Sequence, residues 1–129
     1  MTNKASVIDS SALLAVIYNE KGTDKAQEYF DNSYMSVVNA VECITVLTRN
    51  GMPLDVAKNL LESIISKFIP CEYNDVVLIT QIKNENKNLG ISLGDSVCIA
   101  LGAKLGLKVI TTDKAWTNIK STAEVICLR

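Results

Sequence analysis

Three long windows of this sequence hold a single charge each, and in every case that charge is an acid. Residues 88–103 contain only Asp95, residues 32–48 only Glu42, and residues 5–19 only Asp9. A fourth acid, Asp113, closes the apolar run of LKVITTDKAW, with Lys114 beside it. Ionised carboxylates are rarely left in apolar surroundings without a partner. Crowding several into one cleft raises their pKa values by desolvation and mutual repulsion, whereas a divalent cation reverses that sign. Carboxylate oxygens and water are the ligands that Mg2+ and Mn2+ prefer. Such a site serves phosphoryl chemistry, in which the metal activates water and neutralises charge on phosphate and leaving oxygen.

The same acids admit a plainer role. Ser92-Leu-Gly-Asp95 fits the capping-box pattern, and Asn39-Ala-Val-Glu42 resembles it. Asp9 is placed to cap a helix that follows it, where negative charge is favoured by roughly a few tenths to one kcal/mol. Capping acids, however, usually sit at wet helix ends among other polar residues. The emptiness around all of these is what capping leaves unexplained.

Composition narrows the chemistry further. The chain has 129 residues, 48% hydrophobic and 21% charged, which suits one globular domain spanning 1–129. There is no histidine, so the usual base near neutral pH and the usual nitrogen ligand of transition metals are both missing. Any hydrolysis must rest on carboxylates, lysines, cysteines or hydroxyls. A net charge of −1 carries no global basic field for nucleic acid. Cys43, Cys71, Cys98 and Cys127 are widely spaced among apolar neighbours and form no C-x-x-C, so all four are expected in a buried core in a reducing cytosol. No apolar run is long enough to span a membrane and no leader is evident, so a cytoplasmic location is expected.

The elements that must position the acids alternate in type. Strands are expected at 5–9, 34–37, 68–73, 107–111 and 124–128. Helices are expected at 11–18, 23–30, 39–50, 53–66, 75–86 and 92–105, with Gly51 and Gly106 as stops and Pro53 opening a first turn. Strands separated by helices of this length imply an α/β fold: one mostly parallel sheet of about four to five strands with helices on both faces. Asp9 and Asp113 then stand at the carboxyl edge of the sheet, and Glu42 and Asp95 in first turns of helices starting at that edge. Ligands of such sheets bind there.

With these residues in view, the chain resembles a PIN-domain ribonuclease of the VapC toxin type. The resemblance is carried by VIDSSALLAVIYNE, VNAVECITVL, GISLGDSVCIALGAKLGLKVITTDKAW and the closing strand, nearly the whole chain. It implies a Mg2+- or Mn2+-dependent endoribonuclease, the toxin of a toxin–antitoxin module. Asp9 and Asp95 would bind the main metal directly. Glu42 would bind it or orient the attacking water, and Asp113 would complete the set or hold a second ion. Ser11 and Thr111 would hydrogen-bond these carboxylates. Ser96 departs from relatives that carry a basic residue just after the aspartate, leaving Arg49, Lys114 or another lysine to meet phosphate. The resemblance further implies a homodimer and a cognate antitoxin whose C-terminal segment lies over the acidic cleft. Val56, Leu60, Leu61, Ile64 and Ile65 recur at helical spacing, as core or in part as a partner groove. Trp116 is expected to pack at an edge rather than stack on a base.

Two other classes compete. A metal phosphatase of the haloacid-dehalogenase kind needs a second aspartate two residues after the first, where Ser11 stands. A receiver domain needs an acidic pair ahead of its phosphoacceptor, where Val7 and Ile8 stand. A catalytically inert partner-binding module would use the acids only as caps.

Overall fold

The computed structural model describes residues 4–129. Residues 1–3, where the expected domain and the segment read as lacking a leader begin, lie outside the described residues. Five short strands, β1 (Ser6–Ile8), β2 (Ser33–Ser36), β3 (Lys67–Ile69), β4 (Lys108–Thr111) and β5 (Val125–Cys127), form one sheet in the order β3-β2-β1-β4-β5. Every pairing is parallel, with Val7 beside Tyr34 on one side and Val109 on the other. Parallel neighbours need crossovers, and the helices supply them. These are α1 (Ser10–Ile17), α2 (Gln27–Phe30), α3 (Val37–Arg49), α4 (Leu54–Ile64), α5 (Val76–Glu85) and α6 (Leu93–Leu105).

Strand side chains alternate between faces, and the core divides accordingly. Ile8 and Ile110 point into one apolar cluster with Leu13, Met35, Leu47 and Leu61. Val7 and Val109 point into the other with Ile79, Cys98, Ile99 and Trp116. Helices therefore cover both faces, as the alternating pattern implies. Among the described residues no helix is long and apolar enough to cross a membrane.

Several boundaries differ from the sequence expectation, each for a local reason. The 23–30 helix is reduced to Gln27–Phe30, since 24–26 form turns. The third strand is Lys67–Ile69 rather than 68–73, because Pro70 follows and Glu72 with Asp75 closes a capping box around a short 3-10 turn. Helix α3 starts at Val37, two residues early, because the Ser36 hydroxyl accepts from the Val38 N–H and sets its start. Helix α6 stops as expected, with Gly106 at φ +66°, a conformation open to glycine without penalty.

The cysteine expectation holds for two residues of four. Cys43 and Cys98 are buried, whereas Cys71 is exposed after β3 and Cys127 half-buried on the edge strand β5; all are free thiols. Both outliers sit at the periphery of the sheet, where one side has no neighbour to cover it. Of the apolar stripe on α4, Leu61 and Ile65 are buried, Leu60 and Ile64 pack partly against the core, and Val56 is exposed.

Candidate metal site at the carboxyl edge of the sheet

Asp9 is the residue after β1 and the N-cap of α1, so strand and helix both fix its backbone. Its Oδ1 accepts from the Ala12 N–H at 2.7 Å. The Ser11 hydroxyl lies 2.9 Å from both carboxylate oxygens, and the Thr111 hydroxyl donates to Oδ2 at 2.8 Å. Thr111 ends β4, the neighbour of β1, so sheet register brings it there. Backbone N–H groups of Thr112 and Asp113 donate in turn to the hydroxyls of Ser11 and Thr111, orienting both. Asp9 is only 4% exposed. Burial pushes its pKa up to about 6, against the lowering effect of the Ala12, Thr111 and Ser11 hydrogen bonds; the charge of Asp95 pushes it up further.

Glu42 lies in the second turn of α3, not in the first, because Ser36 rather than Asn39 caps that helix. The expected Asn39–Glu42 capping box is therefore absent. Instead the Asn39 side-chain amide donates to Glu42 Oε1 at 2.8 Å and to the Gly94 carbonyl at 3.1 Å. The Ser10 hydroxyl donates to the same Oε1 at 2.7 Å. Gly94, in the first turn of α6, lies against this carboxylate. A Cβ there would collide with the Glu42 oxygens and stand 2.6 Å from its carboxyl carbon. Three residues not expected at the site, Ser10, Asn39 and Gly94, thus shape it. The one signal available in sequence was the spacing of Asn39, three residues before Glu42 and so one helical turn from it.

Asp95 does form the capping box expected of it: Ser92 Oγ accepts from the Asp95 N–H, and Asp95 Oδ2 from the Ser92 N–H. Partial burial raises its pKa, the Ser92 bonds pull the other way, and the charges of Glu42 and Asp113 raise it further. Asp113 stands two residues after the end of β4, is exposed, and accepts from the Ala115 N–H at 3.0 Å.

All four acids line one depression of about 260 Å3, together with Ser10, Ser11, Leu14, Val46 and Trp116. Trp116 is buried, an edge-packing residue rather than an open platform. No lysine or arginine lines the depression, Arg49 and Lys114 included. The ion pairs among the described residues, Lys58–Glu62, Lys104–Asp75 and Arg129–Glu20, all lie elsewhere. Ser96 is buried, its hydroxyl donating to the Ser92 carbonyl within the helix.

Hard carboxylate oxygens around an apolar-walled hollow, with no cation among them, are a donor set that suits a divalent hard cation. Glu42 Oε2, Asp95 Oδ1 and Asp113 Oδ2 accept no hydrogen bond from the described residues. The arrangement is not closed, however. Among the described residues no three His, Cys, Asp or Glu side chains are set to hold an ion together. Asp9, Asp95 and Asp113 are turned in part onto backbone N–H groups, so the donor chemistry fits while the carboxylates remain held by the protein itself.

The PIN domain family matches residues 6–121, and the chain belongs to that family. Several solved structures share the fold. A toxin–antitoxin complex from Klebsiella pneumoniae superposes with a TM-score of 0.75 at 14% identity, covering 97% of this chain and 98% of that one. VapBC-5 from Mycobacterium tuberculosis gives 0.66 at 19% identity, covering 97% and 99%. FitAcB from Neisseria gonorrhoeae gives 0.72 at 16% identity, covering 95% and 96%. A comparison with curated proteins returns no match.

Proposed function

We propose that the protein is the toxin of a toxin–antitoxin module and a divalent-metal-dependent endoribonuclease acting from this cleft. The observation that carries the reading is four carboxylates from distant parts of the chain lining one hollow without a lysine or arginine beside them. Membership of the PIN family and the toxin–antitoxin neighbours support it. Asp9 and Asp95 would hold Mg2+ or Mn2+, with Glu42 and Asp113 completing the set or holding a second ion. When bound, the metal supplies charge neutralisation on the phosphodiester and a more acidic water.

The chain's own residues do the rest. Ser11 and Thr111 hold both oxygens of Asp9 so that its charge faces the cleft without rotating. With no histidine in the chain and no lysine or cysteine lining the hollow, a cleft carboxylate is the group at hand to take the proton released by an attacking water. Leu14, Val46 and Trp116 wall the hollow with apolar surface, which strengthens charge interactions inside it. An antitoxin segment bringing a basic side chain would neutralise the same cleft, and exposed Val56 and Leu54 on α4 offer apolar surface to such a partner. A homodimer completes the proposed assembly.

Purified protein freed of antitoxin is expected to cut structured RNA and to stop when a chelator is added. Release of inorganic phosphate from small esters, with RNA left intact, would point to a phosphatase instead. A second reading has its own observation: Asp9, Asp95 and Asp113 all accept from N–H groups at helix starts, as inert caps would. Under it, Asp9→Asn and Asp95→Asn lower stability yet leave the response to Mn2+ as in the wild type.

A further inference from the structure

Glu42 is held differently from the other acids. Asp9, Asp95 and Asp113 each accept from a backbone N–H two or three residues along their own segment. Glu42 sits mid-helix, where the backbone N–H groups already serve the helix, so side chains must hold it. Two do, both on Oε1: Ser10 from α1 and Asn39 from the preceding turn of α3. Asn39 is the better anchored, being 2% exposed, with its second N–H on the Gly94 carbonyl of α6. One amide therefore ties the carboxylate on α3 to the start of the helix that carries Asp95.

The orientation of this amide is dictated by its surroundings. Glu42 Oε1 and the Gly94 carbonyl are both acceptors, so the NH2 group must face them. Asn39 Oδ1 is left buried without a hydrogen-bond partner. Such a group is a standing cost to the fold. A leucine of nearly the same shape would avoid that cost, so packing alone does not account for an asparagine here. Gly94 completes the arrangement, since any Cβ would push the Glu42 carboxylate out of place.

We propose that Asn39 is a positioning residue for the cleft: anchored on Gly94, its amide fixes Glu42 Oε1 and keeps Oε2 available to a divalent cation shared with Asp95. This rests on the reading of the cleft as a cation site. Calorimetric titration with Mn2+ tests it on the full chain stripped by chelator, comparing wild type, Asn39→Leu, Glu42→Gln and the double variant. Loss of an outer hydrogen-bond partner of a metal-binding carboxylate typically weakens affinity about 10- to 100-fold. Asn39→Leu is expected to weaken Mn2+ binding by that much, and Glu42→Gln likewise. The double variant should be no weaker than Glu42→Gln alone, because Asn39 acts through the carboxylate.

Multiplying losses in the double variant would mean a general packing role and overturn the proposal, as would unchanged affinity in Asn39→Leu. Absence of Mn2+ uptake by the wild type would sink the cation reading and this proposal together, whereas the two preceding outcomes leave that reading standing. Urea unfolding in chelator checks that each variant is folded. Asn39→Ala, which removes the amide and introduces no other donor, is read by the same criteria should the leucine variant fail that check.

Discussion

The two edges of the sheet make an instructive pair. At the amino edge lies the larger hollow, about 600 Å3, lined by Lys4 and Lys108 alongside Glu28, Asp31 and Glu124. At the carboxyl edge lies a hollow of about 260 Å3 with four acids and no base. Both are built from the ends of the same strands. In the larger one, opposite charges are interspersed and offset each other. In the smaller one, a single sign is repeated beside apolar walls, and the protein bears the electrostatic cost. Uncompensated charge, rather than void size, is what supports the proposed placing of the chemistry at the carboxyl edge.

The sharpest way to break this contrast is to remove one charge at the carboxyl edge. Asp95→Asn is expected to lower Mn2+-dependent RNA cleavage by about a thousandfold, or about 4 kcal/mol of activation free energy. Gel assay of a structured RNA under single-turnover conditions measures it, and cleavage at the wild-type rate would put the chemistry elsewhere.

Next in size is the pH dependence of stability in chelator. Asp9 has its pKa raised from 3.8 to about 6 in the fold. The folded state therefore binds this proton more tightly than the unfolded chain. Stability is greatest below the unfolded value and falls as pH rises through about 6, by about 3 kcal/mol in all. Asp95 shifts in the same direction. Asp75, lowered chiefly by its hydrogen bond from Lys104, has the opposite sign, but its effect lies below its ordinary value of 3.8. Urea titrations at pH 5 and pH 7.5 should show the chain less stable at the higher pH. Saturating Mn2+ should flatten that slope, and a slope indifferent to the ion would argue for caps.

A smaller effect probes how tightly the acids are packed. Gly94 is helical, so alanine there should gain about 1 kcal/mol of helix propensity. Its Cβ would instead collide with Glu42, and Gly94→Ala is expected to cost about 1–3 kcal/mol net. The sign should reverse in a Glu42→Ala background, as read from denaturation midpoints. Smallest of all, Lys108→Ala at the amino edge should change stability by less than about 0.5 kcal/mol and leave cleavage untouched.

How far the sequence could be read follows from the range of the forces involved. Local signals were legible: the Ser92–Asp95 capping box, the stop at Gly106 and the strand-then-acid runs ending in Asp9 and Asp113 all depend on residues within a few positions. The start of α3 was missed because Ser36 and Asn39 are both good caps, and only the register of β2 beside β1 and β3 made Ser36 the last strand residue. Glu42 consequently moved from the helix start to its second turn. The exposure of Cys71 and Cys127 was missed because apolar neighbours in sequence say nothing of whether a strand lies at the edge.

Chain order and residue type determined by themselves that strands alternate with helices, that crossovers are parallel, and that of four isolated acids two follow strands and two lie on helices. Period, capping chemistry and crossover length are local, so they are written in consecutive residues. Only the tertiary structure decided the strand order β3-β2-β1-β4-β5, and with it that Thr111 reaches Asp9 and Asn39 reaches Gly94. Those contacts join residues 102 and 55 positions apart. They form because two buried faces of one sheet must be covered at once, a constraint on the whole chain that no short window contains.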